Sequence, residues 1–343
     1  QVFGVKPEQV KINTLYAGGS FGRRANPMCD YTLETAMIVK AYGKPNPVKL
    51  VWSREDDMNA GYFRPIYVHY VKAGLDAHGK IIAWQQRIVG QSIVAGTAFA
   101  GMIQNGVDPT SVEGAANLPY HIDNFAVDLH TTQLPVPVQW WRSVGSTHTA
   151  YATETFMDAL AHAAGKDPLQ FRLDHLQDHP RHAQVLKLAA EKAGWGTPLP
   201  KGSYRGLAVH ESFKTYVAQV AQIARNTDGS IKVEKVTCAV DCGVPVNPDV
   251  ITAQMEGGIG FGLAPALNGA ITLKDGKVVE TNFDKYQVVR MNTMPAIDVH
   301  IVASAEPPTG VGEPGTPVIA PAVANALSSA TQKRYNSLPL KLG

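Results

Sequence analysis

The chain has 343 residues, enough for two or three lobes with cores of their own. Its 45% hydrophobic and 17% charged residues describe a globular protein on the apolar side. A net charge of +2 with no block of lysine or arginine excludes a basic nucleic-acid surface, and no apolar run reaches the roughly eighteen residues of a membrane span.

Gln1 leads straight into Val2-Phe3-Gly4, with neither Met nor a signal-peptide pattern, so this reads as an interior start with part of the functional protein expected elsewhere. Val10 to Ala17 reads as a strand running into Gly18-Gly19-Ser20-Phe21-Gly22-Arg23-Arg24. Asn26-Pro27 reads as the cap and first position of a helix to about Ala41. Strands are expected at 48–53, 66–75 and 80–94, the last two joined in a hairpin by Asp76-Ala77-His78-Gly79. Residues 95–120 are irregular and rich in small residues, and Asn124 to Thr132 alternates as a strand.

Ala152, Phe156, Leu160 and Ala163 recur at helical spacing. Asp167-Pro168 opens a second helix, and a third covers about 181–193 and stops at Gly194. Residues 205–242 return to strands, with a turn at Asn226-Thr227-Asp228-Gly229. A glycine-studded helix over 249–264, a hairpin at Lys274-Asp275-Gly276, a strand at 296–303 and a helix near 318–332 follow. Strands and helices mix without strict alternation, which predicts an α+β fold of mixed sheets and packed helices rather than a doubly wound sheet. Two lobes are expected, 1–165 and 166–343.

Cys29, Cys238 and Cys242 are too few for a disulfide framework. Cys238 and Cys242 on one strand would sit about 13 Å apart, too far to share a metal. No iron–sulfur cluster can be built from the three, and buried, inert thiols are expected.

Four segments could carry chemistry. Gly310-Val311-Gly312-Glu313-Pro314-Gly315-Thr316-Pro317 sets one carboxylate among glycines and prolines, ahead of the apolar run Val318 to Leu327. Pro314 forces Glu313 into extended backbone, and the glycines permit turns and close approach. That is a frame for a positioned general base, and equally a solvated loop. Gly18 to Arg24 follows the expected strand. It is either a tight turn or a backbone cradle for an anion or cofactor, but it fits neither the nucleotide P-loop nor the dinucleotide fingerprint. Gln139-Trp140-Trp141-Arg142-Ser143-Val144-Gly145 offers either a tryptophan wall with a cation over it or a core pair beside a surface arginine. Gln254-Met255-Glu256-Gly257-Gly258-Ile259-Gly260-Phe261-Gly262 puts four glycines in a helix, each costing about 0.5–1 kcal/mol against alanine. Close backbone packing and approach to a bound cofactor both explain them.

Taken in order, the segments GGSFGRR, WWRS, DPLQFRL, GLAVHES, AVDCGVPVNPD, QMEGGIGFG and GVGEPGTP resemble the molybdenum-binding subunit of the xanthine oxidase family of molybdenum hydroxylases. The likeness is to the isoquinoline 1-oxidoreductase β-subunit and aldehyde dehydrogenase large-subunit type, and it runs over essentially the whole chain. The resemblance implies a multi-lobed molybdopterin-binding subunit. Glu313 matches the general base beside molybdenum, acting on a water-derived oxygen while hydride leaves to a sulfido ligand. Gly19, Ser20, Phe21, Gly22 and Arg23 match the loop over the metal's apical side. Trp141 and Arg142 match a Phe-Arg pair near metal and pterin. Gln254, Gly257 and Gly258 match a helix start that approaches the pterin dinucleotide, and Gly312 belongs to the Glu313 loop. No side chain need ligate the metal.

Trp140 and Ala25 are expected in the substrate pocket, with aromatics near Trp140 favouring a flat substrate. Ala25 stands where purine-oxidising members carry a glutamate, which argues against purines. The family's GxExGQG-type cofactor loop is not found in this chain, which therefore matches the C-terminal half of such a subunit. The resemblance further implies a cytosine dinucleotide form of molybdopterin and an N-terminal portion or companion chain. It implies a small subunit with [2Fe-2S] clusters, and a cytochrome or flavin as electron acceptor. The substrate is an N-heteroaromatic or an aldehyde, and the setting is the bacterial cytoplasm or the periplasmic face of the inner membrane. Set against this are a non-catalytic, cofactor-carrying fragment and an unrelated module that binds a small aromatic ligand.

Overall fold

The computed structural model describes residues 2–226 and 230–340. The turn expected at 226–229 falls outside the described residues except for Asn226. The first of two main sheets holds β1 (Tyr67–Leu75), β2 (Ile81–Gln91) and β3 (Asn124–Thr132) in that order. β1 and β2 form the expected hairpin, in which Asp76 Oδ1 accepts from the amides of His78 and Lys80 at 2.8 Å each. β3 joins β2 in parallel.

The second sheet is an antiparallel meander of β4 (Ser203–Ser212), β5 (Thr215–Arg225) and β6 (Ile231–Asp241), to which β9 (Ala296–Ile301) adds in parallel. The hairpin at Asp275 is the two-residue pair β7 (Leu273–Lys274) and β8 (Lys277–Val278). Both main sheets mix strand directions, so the fold is α+β.

Side chains alternate across a strand, and here both faces of the second sheet are covered. Val217, Val236 and Cys238 pack with α7 (Pro248–Leu267) and α8 (Ile319–Thr331), through Ile259, Leu263 and Val323. Ala218 and Val220 face the other way, into a core shared with Trp84 of β2 and with α4 (Ser146–Ala163), α5 (Pro168–Asp174) and α6 (Pro180–Lys192). At that junction the fully buried Arg172 meets Glu154 at 2.9 Å. Glu154 also accepts from the Tyr120 hydroxyl at 2.6 Å and the Val209 amide at 3.0 Å.

The N-terminal region departs from expectation. Val10–Ala17 and 48–53 form no strand, because none of the described residues pairs with them in a ladder. The second stretch leads instead into α2 (Arg54–Ala60), where the Ser53 hydroxyl caps the Asp56 amide at 3.1 Å. The helix expected from Pro27 begins later, as α1 (Asp30–Tyr42). Asn26 Oδ1 accepts from Met28 N at 2.7 Å, an Asx turn, and Cys29 takes a left-handed φ of 48° before the helix can start. None of the residues of α1 is buried. Of the three thiols, Cys29 is exposed, against expectation, while Cys238 and Cys242 are buried. Burial pushes Cys238 up to about 12. No helix among the described residues is long and apolar enough to cross a membrane.

Candidate active site

Two loops distant in sequence form one unit. Gly22 lies on the main chain of Trp140 and Trp141, where a Cβ would come within 2.2 Å of the Trp140 carbonyl oxygen. Its φ of 111° closes to other residues too. The Phe21 carbonyl accepts from Arg142 N at 3.0 Å, and Gln139 Nε2 donates to the carbonyls of Gly22 and Arg23 at 3.2 and 3.0 Å. Phe21 is thereby held out, 51% exposed, with its ring stacked on Phe261 of α7 at 5.1 Å and 15°. Trp141 also lies on Phe261, at 4.6 Å, and the Arg142 guanidinium carbon is 5.8 Å from the same ring.

Arg142 carries this unit to the Glu313 loop. It is 8% exposed; its Nε donates to the Gly312 carbonyl at 2.7 Å, and its Nη2 donates to Gln254 Oε1 at 3.1 Å. Burial lowers its pKa, and the Glu313 charge acts the other way. Glu313 is tied to the next residue of the same loop. Ser143 N donates to Glu313 Oε1 at 2.8 Å, and Ser143 Oγ donates to the Glu313 carbonyl at 3.2 Å. The other carboxylate oxygen, Oε2, has no donor among the described residues. Ser143 and Val144 both take positive φ, 76° and 50°, a conformation that a β-branched residue adopts only when its surroundings impose it.

Phe21, Gly22, Trp141, Arg142, Gln254, Gly312 and Glu313 are thus brought together, and Gly257 faces Arg142, whose Nη1 would be 3.9 Å from a Cβ there. Gly258 is buried instead against Gly315, 3.2 Å from a Cβ position, so it packs α7 on the Glu313 loop. Gln254 lies in the second turn of α7 rather than at a helix start, because Asn247 caps the helix at Val250 N and Pro248 opens it. The tryptophan wall does not form. Trp140 meets Phe99 edge-on at 6.2 Å while Trp141 turns to Phe261, since neighbours in extended chain face opposite sides. Ala25 is exposed and closes the 22–25 turn by its amide. Gly19 underlies the Phe21 ring, and Ser20 Oγ accepts from Arg24 N at 3.3 Å. Arg23 is engaged by Asp30 at 2.6 Å, beneath the rings of Tyr31 and Tyr62.

Two residues at the site carry no sequence signal of their own. Phe261 sits among the apolar positions of a helix and reads as core. Glu113 follows the short helix α3 (Pro109–Val112), and its Oε1 accepts from Gly145 N at 2.6 Å. Burial pushes this carboxyl up to about 7, opposed by the Gly145 and Ser146 amides and by Arg64, and aided by the charge of Glu313.

The resemblance implies a molybdopterin here, and the residues fit one. Gly257 and Gly312 leave no side chain between Arg142, Gln254 and the open side. Arg142 is a buried cation with no carboxylate at ion-pair distance among the described residues. The Phe21 and Phe261 rings give a half-open aromatic layer beside it. Gln139 Oε1, on a residue that joins the two loops, is buried without a hydrogen-bond partner. Among the described residues no three His, Cys, Asp or Glu come together as a metal cage, so a metal here would take its ligands from the cofactor.

Comparison with known proteins agrees with the geometry. Residues 1–176 and 142–295 each match a family described as a molybdopterin cofactor-binding domain. Over 99% of its length the chain is 32% identical to the isoquinoline 1-oxidoreductase subunit beta of Brevundimonas diminuta, covering 44% of that protein. It is 32% identical over 98% of its length to a membrane-bound aldehyde dehydrogenase of Gluconacetobacter polyoxogenes, covering 47% of it. The chain therefore spans less than half of these curated relatives. In fold it is similar to quinoline 2-oxidoreductase from Pseudomonas putida 86, with a TM-score of 0.76 at 13% identity, covering 94% of this chain and 66% of that one. The aldehyde oxidoreductase of Desulfovibrio gigas gives 0.75 at 16%, covering 94% and 53%. With two cofactor-binding domain matches, one of them over half of the chain, and relatives along nearly all its length, the chain belongs to the molybdopterin cofactor-binding domain family.

Proposed function

We propose that this chain is the catalytic part of a molybdenum hydroxylase subunit that inserts a water-derived oxygen at an electron-poor C–H of an N-heteroaromatic or an aldehyde, with Glu313 as general base. When bound, the molybdopterin supplies the two-electron oxidation. The chain supplies the proton acceptor and its aim. Ser143 fixes one carboxylate oxygen of Glu313, which leaves Oε2 directed by that bond and open to take a proton. Arg142 fixes the loop one residue earlier through the Gly312 carbonyl, so the base is held by two neighbouring residues of one rigid turn. Phe21 and Phe261 offer an apolar face that limits water beside the base.

The half-free, backbone-held carboxylate of Glu313 carries this reading. The same proposal takes molybdopterin cytosine dinucleotide as the cofactor form and a separate [2Fe-2S] subunit as the route for electrons toward a cytochrome or flavin. It takes an N-terminal portion or companion chain as the rest of the cofactor site, and residues 1–165 and 166–343 as its two lobes here. Metal analysis of the assembled native complex tests it. About one molybdenum per copy, together with iron and a second polypeptide, is the expected result. Assembled complex without molybdenum would leave Glu313 with no reaction to serve.

A further inference from the structure

We propose that Glu113 is a positioning residue for Glu313, seating one end of the strained 142–145 turn whose other end aims the base; this rests on the general-base reading of Glu313. The two carboxylates take alternate amides of the same turn. Ser143 N donates to Glu313 Oε1 at 2.8 Å, and Gly145 N donates to Glu113 Oε1 at 2.6 Å. Between them lie the left-handed pair Ser143 and Val144, and the one intervening amide, Val144 N, turns inward to the Trp141 carbonyl at 2.8 Å. Two consecutive left-handed residues, one of them valine, relax unless both ends are held.

The seat for Glu113 is built on both sides. A Cβ on Gly145 would stand 2.0 Å from the Thr110 carbonyl oxygen and 2.9 Å from Glu113 Cγ, so only glycine lets the carboxylate reach that amide. The Glu113 carbonyl accepts from Thr149 Oγ1 at 2.7 Å, which ties the residue to the first turn of α4. On the outer side Arg64 donates to the Val144 carbonyl at 2.6 Å and to Thr147 Oγ1 at 2.5 Å. A negative charge at the start of α4 also agrees with the helix dipole.

The groups that face Glu113 are Arg64 ahead of β1, Tyr67 on β1, the amides of Gly145 and Ser146 at the start of α4, and Glu313. His210 of β4 packs on the neighbouring Gly114. With burial holding its carboxyl near 7, Glu113 changes charge around neutrality, and its bond to Gly145 N weakens as the proton arrives. The aim of Glu313 follows that proton although Glu113 stays out of the reaction.

The test uses the complete, assembled, cofactor-loaded enzyme, with Glu113→Gln and Glu113→Asp beside Glu313→Gln. Two quantities are followed against pH: kcat, and the amide hydrogen exchange of the segment 142–146. Glu113→Gln should lower kcat at about pH 8 by about 5- to 10-fold with KM little changed, the difference between a hydrogen bond to a carboxylate and one to a neutral amide oxygen. It should speed exchange at 142–146 and abolish the ionisation near 7 that the natural enzyme shows in both profiles. Glu113→Asp should restore part of each. A Glu113→Gln enzyme with the natural pH profile and natural exchange at 142–146 overturns the proposal. If that variant does not assemble, the natural enzyme decides: an inflection near 7 in the protection of 142–146, taken relative to unstructured amides at each pH, supports it, and protection constant from about pH 5.5 to 8.5 overturns it. Full activity in Glu313→Gln would sink the general-base reading instead, while exchange at 142–146 still reports on the Glu113 seat by itself.

Discussion

Ser143 grips Glu313 twice, by its amide on Oε1 at 2.8 Å and by its hydroxyl on the Glu313 carbonyl at 3.2 Å. One residue thus fixes both the main chain and the side chain of Glu313. The left-handed φ of 76° at Ser143 is the geometry that brings both donors to one side.

Replacing Glu313 with Gln keeps the shape and an acceptor for Ser143 N but removes the proton acceptor. Turnover of the assembled enzyme should fall by about 10²–10⁴-fold with molybdenum content unchanged. Steady-state kinetics with metal analysis on the same preparation checks this, and near-normal turnover at full metal loading would defeat it.

Glycines of α7 that lie five residues apart should behave oppositely when changed to alanine. At Gly257 the nearest atom to a new Cβ is 3.9 Å away, so Gly257→Ala should leave stability equal or raise it by about 0.4–1 kcal/mol while reducing molybdopterin content. At Gly262 a Cβ would stand 2.5 Å from the Thr316 carbonyl oxygen and 2.8 Å from Ile319 Cγ2, so Gly262→Ala should cost about 1–3 kcal/mol by overpacking. Urea unfolding with pterin quantification separates the two. The same response at both positions would mean that α7 does not lie as described.

Arg172 is fully buried between Glu154 at 2.9 Å and Asp158 at 3.5 Å. Arg172→Ala strands the Glu154 charge among Tyr120, Val209 and the α4–α5 junction, and should destabilise by about 3–5 kcal/mol. Chemical denaturation of the variant measures the loss, and a change below about 1 kcal/mol would show that the charge is solvated after all.

Acid should loosen the fold before it protonates most carboxylates. Burial holds His69 and His210 down to about 4 and His182, which also faces His179, His210 and Arg181, down to about 3. The unfolded chain takes up these protons near 6.5, so each group's contribution is complete above that pH and is lost as pH falls toward its folded value, by about 1.4 kcal/mol per pH unit. Glu113 has the opposite sign. Its folded value of about 7 lies above the ordinary 4.5, so it binds a proton more readily folded and offsets roughly one histidine between those values. These four groups together leave about 3 kcal/mol per pH unit between about pH 6 and 4.5, and His148, which burial lowers well below its ordinary value, adds to the loss with the same sign. Urea midpoints across that range should decline steadily, and constant midpoints would contradict the buried neutral histidines.

What the sequence revealed follows from where the deciding interactions lie. Glu313 was legible because proline and glycine fix its backbone within a few residues, and Asp76, Asp167 and Gly194 were legible as turns and caps for the same local reason. Val10–Ala17 was misread because a strand exists only with a partner, and alternation does not supply one. The helix at Pro27 was placed early because the Asx turn of Asn26 competes with a cap made from the same residue type. Phe261 was hidden by its surroundings, where an aromatic in an apolar helix stripe looks like core. Glu113 was hidden because its partner, Gly145, is thirty-two residues away and contributes only an amide. The one clue near it was an acid set among small residues in the aperiodic 95–120 stretch, where a buried loop needs its polar groups paired.

The contact between α7 and the Glu313 loop has a consequence for how this protein tolerates change. Gly258 meets the main chain of Gly315, and Gly262 meets the Thr316 carbonyl, so the joint is largely main chain on main chain, with Met255 and Ile319 at its edges. Such a joint has little room for re-tuning by repacking, since its closest contacts are to main-chain atoms that no rotamer change can move. The most mutation-sensitive positions behind Glu313 are therefore ones with no functional group at all. The aromatic and polar residues in front of them keep the freedom to vary with whatever molecule they receive.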